Sequence, residues 1–256
     1  MPRHRSFLPQ GVIPAVLLPF QDDMSIDELA FRQHLRDVSA TEGLSALSIN
    51  AHSTEVASCT FDEQRRVLDI AQEEVGDRLP LVHGVYADGS LEAARIARMA
   101  ADGGASALLV FPPAPLARGQ YPEMAVAHFK RIADACDLPL IAFQYGLTTG
   151  SAYAADTLLR LCAEVPTLRA IKDGSNSVTH HEWNIRTLQS LSRPVTVLTT
   201  HSAWLMSSLV LGCGGVLYGS GSVVHQLHVA LFRAVQAKDL VEAQRLNDLI
   251  YPTARV

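Results

Sequence analysis

The sequence predicts an α/β fold, a closed (β/α)8 TIM barrel with a short C-terminal helical appendage. Short apolar runs rich in leucine or β-branched residues alternate with longer segments of helical periodicity. The short runs are apolar throughout, which is typical of parallel strands covered by helices. Eight strand–helix units in a chain of 256 residues match a closed barrel better than an open doubly wound sheet. No GxGxxG pattern follows the first run, so a dinucleotide-binding fold loses its main support.

The eight predicted strands are the short apolar runs. They are Val12–Pro19, Leu44–Asn50, Leu79–Val85, Ala107–Phe111, Leu138–Gln144, Leu168–Lys172, Val195–Thr200 and Gly215–Tyr218. Because the carboxyl ends of parallel barrel strands meet at one mouth, the residues that end these runs are the first candidates for a functional site.

Capping signals mark several helices between these strands. Ser25 with Glu28, and Thr60 with Glu63, have the spacing of capping boxes, and Ser90 opens a third helical segment. Two helical segments follow the last strand, of which the first closes the barrel and the second is an appendage. We therefore expect residues 1–238 to form a single catalytic barrel domain and residues 239–256 to form the appendage.

Composition narrows the possible functions. A net charge of −5 and a pI near 6.0 provide no basic field for nucleic acid, and the one positive cluster is the short stretch from Pro2 to Arg5. No run reaches the roughly 18 apolar residues that a membrane helix needs. The four cysteines are widely separated and form no CxxC pair, which favours reduced thiols. We expect a cytoplasmic protein that binds neither nucleic acid nor a membrane.

The segment RAIKDGS places Lys172 at the end of the sixth predicted strand, directly after Ile171. An ammonium is costly to desolvate at such a position. A buried amine with a lowered pKa can condense with a carbonyl to form a Schiff base, and the protonated imine then acts as an electron sink. The alternative is a lysine that extends to solvent along its stem or pairs with Asp173.

Four motifs carry a resemblance to a known family: GVIPAVLLPFQDD, NAHSTE, PLIAFQYGLTTG and AIKDGS. In their order and spacing they resemble the dihydrodipicolinate synthase and N-acetylneuraminate lyase family of class I aldolases, over Gly11 to about Tyr251. The resemblance implies a TIM barrel, a covalent imine between Lys172 and pyruvate or another 2-oxo acid, and no separate cofactor. It also implies a homo-oligomer, dimer or tetramer, and a longer C-terminal helical bundle than this sequence possesses.

Three positions depart from the family pattern. The family's proton-shuttle tyrosine falls on Phe143, the tyrosine lent across the subunit interface falls on Ala114, and the carboxylate-binding arginine falls on Thr148. A phenyl ring has no proton to give or take. We therefore expect a Schiff-base lyase, an aldolase or a dehydratase, that is not a true dihydrodipicolinate synthase.

His52 is the candidate to replace the missing tyrosine, because an imidazole is a competent acid and base at neutral pH. It stands where the motif has its first threonine; the alternative is a neutral ring that fills vacated space. Tyr145, two residues past Phe143, shares its strand face and is a second candidate. Ser53 can offer a hydroxyl and a backbone N–H to a substrate carboxylate.

Further substrate-binding candidates lie around the predicted mouth. With Ser53, the set consists of Phe143, Tyr145, Gly174, Thr200, His201 and Leu217. Among the other histidines, His83 is expected inside the fold, and His180 with His181 on a solvated outer wall. His225 and His228 have helical i, i+3 spacing without a third convergent ligand, so no metal is expected.

Two other functions remain open. The loss of the tyrosine at Phe143 would suit a non-catalytic metabolite-binding barrel descended from the family. The GSGS turn after the eighth strand resembles an anion-binding loop, which would suit a phosphate-binding barrel enzyme, although no lysine or arginine is close to it in sequence.

Overall fold

Eight parallel strands, each followed by a helix, form a barrel in the computed structural model, which describes residue 4 and residues 6–119 and 121–255. The strands are β1 (Gly11–Pro14), β2 (Leu47–Ile49), β3 (Leu81–Val85), β4 (Ala107–Val110), β5 (Leu140–Gln144), β6 (Leu168–Asp173), β7 (Thr196–Thr199) and β8 (Gly215–Tyr218). All eight predicted strands are present, although most are shorter than the apolar runs that predicted them.

Nine helices lie in the described part of the chain, and eight of them cover the barrel. They are α1 (Glu28–Ser39), α2 (Phe61–Val75), α3 (Ser90–Asp102), α4 (Pro122–Ala133), α5 (Ala155–Glu164), α6 (Val178–Leu188), α7 (Leu205–Val210), α8 (His225–Gln236) and α9 (Leu240–Ile250). Helix α9 packs against α8 and α7 and continues into a 3₁₀ turn, Tyr251–Arg255. The predicted barrel with a C-terminal helix is confirmed.

Isolated backbone bridges, which involve residues flanking β1 and β2, return the sheet on itself. The sheet runs β1-β8-β7-β6-β5-β4-β3-β2, so these two strands are its ends. The backbone N–H of Ser45 donates to the carbonyl of Val12 at 2.9 Å, and that of Val16 donates to the carbonyl of Ser48 at 3.0 Å. The carboxyl ends of all eight strands therefore surround one mouth.

Two apolar layers hold this arrangement. The larger lies between the strands and the helices, and the smaller fills the barrel itself. The smaller layer combines short and branched side chains, among them Ile13, Ala46, Val82, Leu109, Ile141, Ala170, Leu198 and Leu217, with the rings of Phe111 and Phe143. Packing of this kind closes the barrel interior and leaves chemistry to the mouth.

The first strand ends earlier than predicted. Regular pairing stops at Pro14, beyond which Ala15 and Val16 make single backbone hydrogen bonds to Tyr218 and Ser48. The chain then enters a loop in which Phe20 and Ile26 form an isolated antiparallel bridge. Val16 and Leu18 are buried in this stretch although they lie outside the strand, whereas Leu17 is exposed, so the apolar run extends beyond the regular pairing that it predicted.

One of the two predicted capping boxes is confirmed. Thr60 accepts from the backbone N–H of Glu63, whose carboxylate accepts from the backbone N–H of Thr60. The other prediction is wrong, because α1 begins after Asp27, whose Oδ1 accepts from the backbone N–H of Ala30 at 2.9 Å. Ser25 instead donates to Asp23 inside the preceding turn.

Two other expectations can be placed on the structure. The basic stretch from Pro2 to Arg5 lies, apart from His4, outside the described residues. Across the described chain, no helix has both the length and the hydropathy required to cross a membrane.

The two candidate caps provide a stability test. We expect Thr60→Ala to lower the free energy of unfolding by about 1 kcal/mol, because it leaves an N-terminal N–H of α2 without its acceptor. Ser25→Ala should change it by less than about 0.5 kcal/mol, the usual range for surface substitutions. Urea unfolding of both variants decides this, and equal losses would contradict the assignment of Asp27 as the cap of α1.

Candidate active site

Lys172 and Asp173, adjacent in β6, point to opposite sides of the sheet, as successive strand residues do. The Lys172 side chain lies inside the barrel and is 5% exposed. Its Nζ is 4.2 Å from the centroid of the Phe143 ring, which lies beside it in register on β5. Asp173 faces α6, so the barrel interior holds the amine without the neighbouring carboxylate.

Burial lowers the pKa of Lys172 to about 7. The cause is desolvation of the ammonium, which the Phe143 ring face opposes only weakly. A large share of this amine is therefore neutral and nucleophilic near neutral pH. The alternative of a solvent-extended lysine, or of one paired with Asp173, is not observed.

The Asp173 carboxylate is fully buried and tied to α6. Its Oδ2 accepts from Nδ1 of His181 and from Nδ2 of Asn184, both at 2.8 Å, and its Oδ1 accepts from the backbone N–H of Ser175 at 2.8 Å. Burial raises the pKa of Asp173, but these hydrogen bonds and the proximity of His201 lower it by more, so it stays far below its usual range. The network fixes the carboxyl end of β6 and with it Lys172.

The expectation that His181 lies on a solvated wall is wrong, since its side chain is fully buried against Asp173. Sequence reasoning missed this network. The available signal was the i, i+3 spacing of His181 and Asn184, which places both on one face of α6 opposite an acidic strand residue.

His201 lies in the same network. Its ring stacks on Trp204 with centroids 4.0 Å apart, and its Nε2 is 3.8 Å from Oδ1 of Asp173. Its contacts are thus on the outer side of β6. A substrate contact from His201 stays a prediction that this geometry does not favour.

Asp173, His181 and His201 place potential metal-ligand atoms within 4.8 Å of one another. The 2.8 Å separation between His181 and Asp173 is, however, a hydrogen-bond distance, and both carboxylate oxygens already accept N–H donors. A hydrogen-bonded carboxylate accounts for the cluster, and we propose no metal there.

His52 and Tyr145 meet above Lys172. His52 begins a 3₁₀ turn after β2, Tyr145 follows β5, and Oη of Tyr145 lies 3.0 Å from Nε2 of His52. Although one side of the His52 ring is open to solvent, its burial among neighbouring rings, and next the charge of Lys172, lower its pKa. Burial raises the pKa of Tyr145 above its usual range. The phenol therefore keeps its proton and donates to a neutral imidazole.

Five rings form one continuous surface from Lys172 to the mouth, and we call it the aromatic wall: His52, Tyr86, Phe111, Phe143 and Tyr145. Centroid distances are 4.7 Å for Phe143–Tyr145, 5.4 Å for Phe111–Phe143 and 4.8 Å for His52–Phe111. Phe111 and Phe143 are buried, whereas Tyr86 is 41% exposed. The wall thus runs from the buried amine to solvent.

Gly174 permits a close approach beside the wall. A Cβ at this position would lie 3.3 Å from Cε2 of Phe143, 3.3 Å from Cγ2 of Thr200 and 3.0 Å from the carbonyl oxygen of Gln144. Gly174 and Thr200 are therefore at the mouth, next to Phe143, where the sequence placed them.

Ser53 and Leu217 occupy different levels of the barrel. Ser53 is half-buried, and its Oγ would be 2.6 Å from a Cβ added to Gly219, which brings the turn after β2 beside the end of β8. Leu217 is fully buried in the inner apolar layer. Ser53 is thus available at the mouth, whereas Leu217 packs the interior.

The loops after β4 and β5 contain Ala114 and Thr148, the other two positions at which the sequence departs from the family pattern. Ala114 and Thr148 are both exposed, and the backbone N–H of Ala114 donates to Oδ1 of Asp88 at 2.8 Å. The GSGS turn, Gly219–Ser222, is closed by a hydrogen bond from Ser222 Oγ to the carbonyl of Gly219. With its last two residues buried, this turn does not favour phosphate binding.

A cleft of about 580 Å³ lies at the opposite end of the barrel, between the starts of β1 and β8. Its lining includes Gly11, Ser45, Cys213 and Phe232. Burial raises the pKa of Cys213 to about 12, so this thiol is inert at neutral pH. Lys172, His52 and Tyr145, the groups that can carry out chemistry, lie toward the carboxyl ends of the strands instead.

Comparison with known proteins agrees with this geometry. Residues 8–255 match the model of the dihydrodipicolinate synthetase family. The chain is 31% identical over 244 residues to a 4-hydroxy-tetrahydrodipicolinate synthase of Sphingopyxis alaskensis, covering 94% of this chain and 80% of that one. It is 28% identical over 249 residues to the enzyme of the same name from Methanothrix thermoacetophila, covering 96% and 81%.

A solved structure has the same fold. A prophage protein of the dihydrodipicolinic acid synthase family from E. coli K12, in complex with pyruvate, superposes with a TM-score of 0.88 at 22% identity, over 95% of this chain and 81% of that one. The resemblance inferred from the four motifs is confirmed.

The buried amine makes stability depend on pH. Between the folded pKa of about 7 and the ordinary value of 10.5, the unfolded chain binds a proton at Lys172 that the folded chain does not. The wild type therefore gains stability from this site as pH rises through that window. We expect Lys172→Met to be more stable than the wild type, with the largest difference below pH 7 and a shrinking one toward pH 10.5.

Chemical unfolding at several pH values measures the difference, and the exposed Lys238, replaced by Met, is the matched control. A difference between Lys172→Met and the wild type that does not change with pH would show that the Lys172 pKa is not lowered.

Proposed function

We propose that this chain, which belongs to the dihydrodipicolinate synthetase family, is a Schiff-base lyase that acts on pyruvate or another 2-oxo acid. Lyases of this family form a Schiff base to a lysine and use no external cofactor. The observation that carries the proposal is the buried amine of Lys172, whose pKa is near 7 at the carboxyl end of β6. The pyruvate complex of the E. coli relative supports the 2-oxo acid.

The first step is attack of the neutral Nζ on the C2 carbonyl of the 2-oxo acid. The carbonyl oxygen is protonated to give a carbinolamine, which then loses water to form the protonated imine. These changes move protons to and from oxygen and nitrogen, and the enamine that follows requires the loss of a proton from C3. Phe143, the ring nearest to Nζ, cannot carry a proton, so the carrier must be another group.

The His52–Tyr145 hydrogen bond supplies such a carrier. A neutral Nε2 that accepts from a phenol can take a proton from the reacting centre when the hydrogen bond opens, and the phenol can hand its own proton to an oxygen. Charge on Lys172 lowers the pKa of His52, which indicates that the two groups interact. We propose His52 as the acid and base, with Tyr145 as its partner.

The carboxylate of the 2-oxo acid needs donors at the mouth. Ser53, half-buried beside Gly219, offers a hydroxyl and a backbone N–H, and Thr200 offers a hydroxyl next to Gly174. We propose these two residues as carboxylate or substrate contacts. A homo-oligomer, a dimer or a tetramer, and a cytoplasmic location are further proposals for this chain.

The competing function is a non-catalytic metabolite-binding barrel, which the loss of the phenol at Phe143 would suit. The desolvated amine argues against it. Burying a lysine without a carboxylate costs folding free energy, and groups with such strongly shifted pKa values are typical of functional sites.

Borohydride trapping separates these two functions. We expect pyruvate with borohydride to label the protein once, at Lys172, because this is the lysine with a lowered pKa inside the barrel. Trapping should increase as pH rises toward 7 and then level off, since the neutral amine is the nucleophile. Intact mass and peptide mapping give the result. Labelling at Lys130 or Lys238, or none with any 2-oxo acid, would exclude the mechanism.

The proposed proton carrier is tested by substitution. His52→Ala should lower kcat by about 10² to 10⁴, the usual effect of losing a positioned acid or base. The acidic limb that His52 gives to the pH profile of kcat, below pH 6.5 because the pKa of His52 is lowered, should disappear with it, whereas the limb that Lys172 gives to kcat/KM near pH 7 should remain. Tyr145→Phe keeps the ring and should cost about tenfold or less.

Phe143→Tyr is the complementary change. In the His52→Ala background it should restore part of kcat, because the new hydroxyl is beside Lys172. Full activity and an unchanged pH profile in His52→Ala would instead identify His52 as a space-filling ring.

A further inference from the structure

We propose that the aldehyde that this enzyme joins to, or releases from, the 2-oxo acid carries an aromatic ring, which binds against the aromatic wall. The inference rests on the proposed Schiff base at Lys172 and adds the chemical class of the second substrate. The reaction is an aldol addition of pyruvate to an aryl aldehyde, or its reverse.

The first support is the position of the wall. Lys172 lies over Phe143, so C3 of an imine-bound pyruvate is formed beside this ring. Phe143 contacts Tyr145 and Phe111, and Phe111 contacts Tyr86. These contacts form an unbroken series of rings from Tyr86 to Phe143, the ring beside Lys172. The pairs are tilted or edge-on, an arrangement that a further ring can extend.

The second support is exposure. Tyr86 is 41% exposed and Tyr145 is half-buried, while Phe111 and Phe143 are buried beneath them. The outer rings of the wall thus keep exposed surface at the mouth, and they are joined through Phe111 and Phe143 to the ring beside the buried amine. Ligand sites of this kind are lined mainly by apolar and aromatic side chains, with a few polar groups that fix orientation. The His52–Tyr145 pair is the polar group here.

The third support is charge. A second carboxylate on the aldehyde would need a cation, and among the described residues Lys172 is the one cation that lies over a ring of the wall. The loop after β5 offers the neutral Thr148, and Asp88, in the loop after β3, adds a carboxylate that accepts from Ala114 in the loop after β4. Arg118, in that same loop, is exposed, and no described ion pair or ring contact joins it to the wall. An uncharged aryl group fits this surface better than an anionic one.

The aldol addition needs only the imine, the aldehyde and water as reactants. Loss of a proton from C3 of the imine gives an enamine, and C3 then attacks the aldehyde carbon while the carbonyl oxygen takes up a proton. His52 is placed to carry the proton from C3, and Tyr145 to donate to the new alkoxide. Water hydrolyses the imine, which frees Lys172 and yields a 4-aryl-4-hydroxy-2-oxobutanoate. Loss of water from this product gives the arylidene 2-oxo acid.

The test compares aldehydes with the wild-type enzyme and pyruvate. Benzaldehyde, cyclohexanecarbaldehyde, acetaldehyde and aspartate semialdehyde are each assayed for kcat/KM by chromatography of the product. We expect benzaldehyde to exceed aspartate semialdehyde at least tenfold and to exceed cyclohexanecarbaldehyde about two- to tenfold, the range of an aromatic pair beyond its buried area. A preference for aspartate semialdehyde or acetaldehyde would overturn the inference.

Substitutions at Tyr86 test whether the aryl ring of the substrate binds against this side chain. Tyr86→Ala should lower kcat/KM for benzaldehyde about tenfold, whereas Tyr86→Phe should retain it, because the ring and not the hydroxyl makes the contact. Tyr251→Ala, an exposed tyrosine in the C-terminal 3₁₀ turn, is the matched control and should have no effect. Equal activity of Tyr86→Ala and Tyr251→Ala would overturn the role of the wall.

Trapping by pyruvate and borohydride in the wild type keeps the two proposals apart. A trapped Lys172 with no preference for benzaldehyde rejects the aryl substrate alone. No trapping, together with no turnover of any aldehyde, rejects the Schiff-base function and with it this inference.

Discussion

The burial of the Lys172 amine away from any carboxylate is the constraint on which the rest of the site depends. Inside the barrel it has the face of Phe143 as a neighbour, and this ring stabilises a cation only weakly. The price of desolvating an ammonium is what lowers the pKa to about 7 and makes the amine a nucleophile. The barrel must therefore hold β6 rigidly while denying its lysine a counter-charge, and the buried network around Asp173 meets this need from the outer face.

The aromatic wall and the proton carrier are linked through one replacement. At the position where the family resemblance implies a tyrosine, Phe143 has no hydroxyl and supplies a ring that packs against Tyr145 and Phe111. The acid–base function that we propose is therefore assigned to His52, which reaches the same region from the turn after β2. The proposed proton carrier and the proposed apolar binding surface are thus neighbouring rings of one cluster. A substitution in one of them is therefore expected to affect the function of the other.

The barrel and Lys172 could be predicted from the sequence because both follow from local patterns: apolar runs of strand length, helical periodicity, and a lysine at the end of a run. His52 and Tyr145 were each named, but their hydrogen bond joins residues 93 positions apart and no local pattern reports it. His181 was misplaced because helical periodicity in α6 is weakened by the polar residues that face Asp173. A buried polar helix face has the same composition as a solvated one. The two differ only in whether the fold packs another part of the protein or solvent against that face.

Because Lys172 and Asp173 alternate along β6, a shift of the strand by one residue changes which of the two side chains faces the barrel. Deleting or inserting one residue before Lys172 would exchange the two side chains between the sides of the sheet. The carboxylate would then lie against Phe143, and the ammonium would meet the imidazole and amide of α6 that now donate to Asp173. Such a shift would bury a carboxylate in the barrel core and would remove the amine nucleophile from it. The number of residues in β6 before Lys172 thus sets at once which group enters the barrel and which group binds α6.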